Sequence, residues 1–181
     1  MANKYELVIT TDGKEVRIDM PFLNVSNIVN ELPDVKENEV IFNALTNHPS
    51  KQVLTNLAVK TSLSAESLIK LFNTGYNSVI QSLLSNSIFK KGVGMEGLEN
   101  MIKVDAEFAN TIAQSIEEFE EVDKMKLVEL LLTNKDPRVI HTTINNSNTK
   151  KNIIKKFKDY PDNLIAMDTI KKLETEEENN G

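Results

Sequence analysis

The chain has 181 residues, 40% of them hydrophobic and 27% charged, with a formal net charge of −6 and a pI near 5.1. That length carries roughly one domain with a real core, the acidic balance argues against a general nucleic-acid binder, and the absence of cysteine excludes disulfides and thiolate metal sites. No apolar run is long enough to span a membrane and Met1-Ala2-Asn3-Lys4 does not read as a secretory signal, so a cytoplasmic location is expected.

The first twenty residues are the one β element. Asp12-Gly13 is a favoured pair for a two-residue type I′ turn, because both positions need positive φ. With that turn, Ile9 pairs with Val16, Leu7 with Ile18 and Tyr5 with Met20, all on one face. Glu6 with Asp19, Val8 with Arg17 and Thr10 with Glu15 fill the other. A lone hairpin is marginal in water, so its apolar face is expected to dock on the helical body. Its free edge stays open to a further strand, from a partner or from a second copy.

From Pro21 the period becomes helical. Val25, Ile28, Val29 and Leu32 follow the i, i+3, i+4, i+7 rule until Pro33. Asp34 and Glu37 have capping-box spacing, predicting a helix that buries Val40, Ile41, Ala44 and Leu45. The next helix carries Val53, Leu54, Leu57 and Ala58; after a Thr61-to-Ser64 turn with Ser64 as N-cap, Leu68, Ile69 and Leu71 define another. Val79, Ile80, Leu83 and Leu84 follow, then a break at Ser85-Asn86-Ser87 and a flexible connection over Lys90-Lys91-Gly92-Val93-Gly94 before Leu98, Met101 and Ile102. Phe108 to Phe119 and Met125 to Leu131 supply the next pair. Val139, Ile140 and Ile144, a turn at residues 145–148, and Ile153, Ile154 and Phe157 supply another. Asp159-Tyr160-Pro161-Asp162 opens a last half-unit through Ile170, and a frayed acidic tail is expected from Glu174.

One phrase occurs twice. Leu45-Thr46-Asn47-His48-Pro49-Ser50-Lys51-Gln52-Val53 is echoed by Leu132-Thr133-Asn134-Lys135-Asp136-Pro137-Arg138-Val139, each closing one helix, turning, and opening the next. Together with Leu57-Ala58, the Thr-Ser-Leu-Ser turn and Leu68-Ile69-Lys70-Leu71, and with the 145–149 turn and Ile153-Ile154, this phrase resembles the variant leucine-rich repeat, a HEAT-like α-helical repeat, over about residues 45–170. Gly75-Tyr76 and Asp105-Ala106 lack the proline. The resemblance implies a superhelical protein-interaction scaffold and supplies no catalytic residues.

Chemistry-bearing residues are sparse. His48 and His141 are far apart, have no metal-ligand spacing and read as surface or boundary positions. Gly92-Val93-Gly94-Met95-Glu96-Gly97, after Lys90 and Lys91, could cradle an anion but lacks a preceding strand, so a mobile connection is favoured. Glu117, Glu118, Glu120 and Glu121 spread around a helix as a solvated face. Lys150, Lys151, Lys155, Lys156 and Lys158 form a basic ridge without interleaved stacking aromatics.

The expectation is therefore a mostly α protein: an α-α superhelix of stacked helix pairs (21–173) with an N-terminal β-hairpin cap (1–20) and an acidic flexible tail (174–181). Its expected role is non-catalytic protein–protein interaction, with no cofactor and no metal. The expected partner-binding residues are Glu66, Lys70, Glu99, Lys103, Lys151 and Lys155. The alternatives are nucleic-acid binding through Lys150–Lys158, or a small inhibitor or antitoxin-like protein whose acidic surface plugs a basic site.

Overall fold

A computed structural model describes residues 5–11, 13–146 and 149–178. The chain is mostly α-helical after an antiparallel hairpin, and it divides between Phe89 and Lys90 into two units.

The hairpin joins β1 (Tyr5–Thr11) to β2 (Lys14–Met20) in the expected register, with Leu7 opposite Ile18 and Ile9 opposite Val16. Gly13 has φ +73°, which glycine adopts without a Cβ clash; Asp12, the other turn residue, lies outside the described residues. Among the described side chains of that face the expected docking is not seen: Leu7, Val16 and Ile18 are 37%, 53% and 44% exposed, and Met20 is half-buried. Only Pro21 separates β2 from the following helix, α1 (Phe22–Glu31).

In the first unit α1 is followed by a 3-10 turn (Lys36–Asn38), α2 (Glu39–Leu45), α3 (Lys51–Ala58), α4 (Ala65–Phe72) and α5 (Asn77–Leu83); α6 spans Ser87–Gly92. Helix α3 packs against α1 on one side and α5 on the other. Val25 and Val29, then Val53, Leu54, Leu57 and Ala58, then Val79, Ile80 and Leu83 are the buried stripes that meet there. Each large aliphatic side chain withdrawn from water contributes about 1.5–3 kcal/mol.

Three local expectations fail here. Helix α2 buries Phe42, while Val40 and Ile41 are 78% and 43% exposed and Ala44 is exposed; the aromatic ring, with the most area to bury, sets the phase. Ile69 on α4 is also exposed, with Leu68 and Leu71 carrying the contact. Asp34 caps no helix. Its carboxylate accepts four hydrogen bonds of 2.6–2.9 Å from the backbone N–H and hydroxyl groups of Thr61 and Ser62. Burial alone pushes this carboxyl upward, but the bonds from Ser62 and Thr61 outweigh it and bring it down to about 2. Ser64 does cap α4, accepting from the Ser67 N–H.

The second unit contains α7 (Met95–Val104), α8 (Ala106–Gln114), a 3-10 turn (Ile116–Glu118), α9 (Lys124–Leu131), α10 (Pro137–Asn145), α11 (Lys151–Ile154), a further 3-10 turn (Lys155–Phe157) and α12 (Asn163–Glu178). Helix α10 packs between α8 and α12, as α3 packs between α1 and α5. Lys90 and Lys91 belong to α6 and not to a connection, and α7 begins at Met95. Residues 174–178 are helical; Ser147, Asn148 and residues 179–181 lie outside the described residues.

A side-chain ladder runs through both rows. At the end of α3, Lys60 donates to the Leu32 carbonyl just past α1. After α5, Asn86 donates to the carbonyls of Ala58, the last residue of α3, and of Lys60 just past it. In the second unit Asn146 donates to Ala113 O of α8, and Lys172 donates to the carbonyls of Ile144 and Asn146. A helix leaves its last carbonyls without intrahelical partners. Here the donor comes from within or just past a helix packed alongside, so the same hydrogen bond closes one helix end and joins it to its neighbour.

Candidate functional site

The two echoed turns have the same internal wiring. Thr46 Oγ1 donates to Asn43 O and Thr133 Oγ1 to Leu130 O, each closing the preceding helix. His48 Nδ1 accepts from the Ser50 N–H at 3.1 Å, and Asn134 Oδ1 from the Asp136 N–H at 2.9 Å. Their surroundings differ. Thr46 and His48 are buried, correcting the surface reading of His48, and burial holds its imidazole below the usual histidine value. Thr133 is exposed and Asn134 half-buried.

That second turn borders the best candidate site, an open groove of about 740 Å3 between the α7–α8 and α9–α10 turns. Ile102, Leu130 and Pro137 contribute apolar lining, and Val104 stands 72% exposed at its side. Lys103, Lys135, Asp105 and Asp136 supply the charge. The carboxylates are already engaged: Asp105 caps α8 through the Glu107 N–H, and Asp136 caps α10 through the Arg138 N–H. The Arg138 guanidinium also holds Asp136 at 2.7 Å and Glu107 at 2.8 Å. Hydrogen bonding from Arg138, side chain first, lowers the Asp136 carboxyl below its ordinary value. The cations are less committed. Lys103 reaches Glu99 at 3.8 Å, and among the described residues Lys135 has no ion pair. The groove thus offers aliphatic surface beside two lysines, with its two carboxylates already hydrogen-bonded as caps.

Of the six expected partner-binding residues, Lys103 lines this groove and Glu99 anchors Lys103 and Lys126 (3.4 Å) behind it. Lys151 and Lys155 lie on α11 and the following 3-10 turn. Glu66 and Lys70 are exposed on α4, in the other unit. Sequence reasoning missed Lys135, whose place in the echoed turn was the available signal, and Val104, whose exposure periodicity did not announce.

The acidic stretch and the Lys90-Lys91 pair are engaged in contacts within the fold. The acidic stretch does not spread around an α-helix: Glu117 and Glu118 sit in a 3-10 turn, with Phe119 fully buried beyond it. Glu118 pairs with buried Lys90 at 3.0 Å, Glu120 with Lys91 at 3.1 Å, and Glu117 with Lys124 at 2.8 Å, while Asp123 caps α9. Lys90 and Lys91 are therefore engaged by carboxylates. His141 Nε2 lies 2.6 Å from Asp168 Oδ2, which also accepts from Asn145 Nδ2 at 2.9 Å; this contact ties α10 to α12. Among the described residues no three histidine or acidic side chains converge as a metal site, and no helix is long and apolar enough to cross a membrane.

Comparison with family models, curated proteins and solved structures gives no match.

Proposed function

We propose that the protein is a non-catalytic protein-interaction scaffold whose groove beside α8 and α10 holds a short segment of a partner. The observation that carries this reading is the combination of aliphatic lining, an exposed Val104, and lysines at a groove whose own carboxylates are consumed by caps. A complementary segment pairs an aliphatic side chain with an acidic residue, the apolar part contributing affinity and the charge orientation. The capping ladder, recurring at sequence separations of 26–33 residues, supports an α-α superhelix of HEAT-like or variant leucine-rich type.

Selection from a random peptide library tests this. Acidic–aliphatic peptides are expected to be enriched, and Lys135→Glu combined with Val104→Asp is expected to abolish their binding while changing stability by less than about 1 kcal/mol. Selected peptides that bind the double variant unchanged overturn the groove assignment.

A second reading has one observation behind it. Lys150, Lys155, Lys156 and Lys158 are exposed, and no ion pair engages them among the described residues. Such a ridge could contact phosphates, with affinity falling steeply as salt rises. Absence of DNA and RNA retention at low salt eliminates it.

A further inference from the structure

We propose that β1 is an open dimerisation edge and that a second copy of this chain adds its own β1 there, forming the four-stranded sheet β2–β1–β1′–β2′. The hairpin leaves Leu7, Val16 and Ile18 exposed, and two strands alone lack the cross-strand support that independent stability requires. It has two free edges, and charge decides between them.

β2 carries Lys14, Glu15, Arg17 and Asp19, whereas β1 carries only Glu6. Charged residues are the common protection of an exposed edge, and β1 lacks it. Symmetry sharpens the choice. A two-fold axis through Arg17 overlaps all seven residues of β2 with its copy, but it sets Arg17 against Arg17 and Glu15 against Asp19 twice. Registers that relieve these like-charge pairs give up two residues of overlap. A two-fold axis through Val8 overlaps all seven residues of β1 and opposes Val8 to Val8, Leu7 to Ile9, and Glu6 to Thr10, with no like-charge pair. Glu6 is also partly neutralised within its own hairpin by Arg17 at 3.4 Å.

The hydrogen-bond phase agrees. Thr11 pairs with Lys14 across a two-residue loop, which makes that pair and every second pair from it the hydrogen-bonded ones. The backbone groups of Glu6, Val8 and Thr10 then point to the open edge, and these are the residues that the Val8-centred register joins. Opposed residues share a face in an antiparallel pair, so the partly apolar face of one hairpin continues into the other.

The test is sedimentation over a concentration series together with single-cysteine cross-linking, which this cysteine-free chain permits. A concentration-dependent dimer is expected for the native chain. Val8→Lys, which brings two ammonium groups together at the axis, is expected to weaken it at least about tenfold. Should that substitution disturb the hairpin, cross-linking decides: Val8→Cys treated with a short bis-maleimide, which spans the wider hydrogen-bonded pair, is expected to give a covalent dimer, while Arg17→Cys and Ile18→Cys stay monomeric. A native chain monomeric throughout, Val8→Lys associating as well as the native chain, or cross-linking through Arg17→Cys or Ile18→Cys as rapid as through Val8→Cys, each overturns the proposal.

Discussion

The turn into α3 and the turn into α10 are written in nearly the same residues and wired by the same two hydrogen bonds, yet one is interior and the other lines a groove. In the first, a histidine occupies the position that receives the incoming N–H, and its ring is buried with Thr46. In the second, an asparagine does so at the surface, and Arg138 binds the capping Asp136 from outside. Local hydrogen bonding is thus a property of the phrase, while burial is a property of what packs around it. The same holds for the ladder: Asn86 is 1% exposed, whereas its counterpart Asn146 is half-buried.

Asn86→Ala is expected to be the most damaging change. It leaves the Ala58 and Lys60 carbonyls and the Ile88 and Phe89 N–H groups without this partner, at a cost of about 3 kcal/mol. Asn146→Ala should cost only about 1 kcal/mol, because water can reach its site. Equal losses by urea denaturation contradict the assignment of a deeper role to the first unit's rung.

His48→Ala comes next, at about 2 kcal/mol from lost packing and a lost acceptor. His48→Asn restores the acceptor used in the other turn and should recover part of that loss. Asn134→Ala should cost about 1 kcal/mol or less. If His48→Asn is no more stable than His48→Ala, the shared wiring contributes nothing in the buried copy.

The smallest effect concerns acid stability, and it separates the first unit from the second. The Asp34 carboxyl titrates at about 2 when folded, below its ordinary value of 3.8, so the folded state binds the proton less readily than the unfolded one. Its contribution is complete above about pH 4 and disappears as pH falls through 2. Because the group is largely exposed, solvent screening reduces this contribution to about 1 kcal/mol. Asp34→Asn should lower stability at neutral pH by that amount and flatten the acid limb of the stability–pH curve. An unchanged limb rules out the clamp on Thr61 and Ser62 as its source.

Much of the fold was legible because hydrophobic period and turn chemistry act over a few residues. The register from Tyr5 to Met20, the stripes Val53–Leu57 and Val79–Leu83, and the Ser64 cap all follow from neighbours in sequence. The groove was only partly legible: Lys103 stood out as a helix-face charge, whereas Lys135 and Val104 belong together only because two turns about 30 residues apart border one space.

By itself, then, the sequence determined which stretches such as Val53–Ala58 and Val79–Leu83 are helical, how the hairpin pairs, and that one turn recurs, since each depends on short-range sterics and hydrogen bonds. Tertiary structure decided that Phe42 rather than Val40 faces inward, that Asp34 clamps a turn 27 residues away instead of capping a helix, and that His48 is buried while Asn134 is not. Those outcomes depend on which distant surface arrives to be covered. A local pattern contains the demand for burial or for a hydrogen bond, but not the partner that meets it.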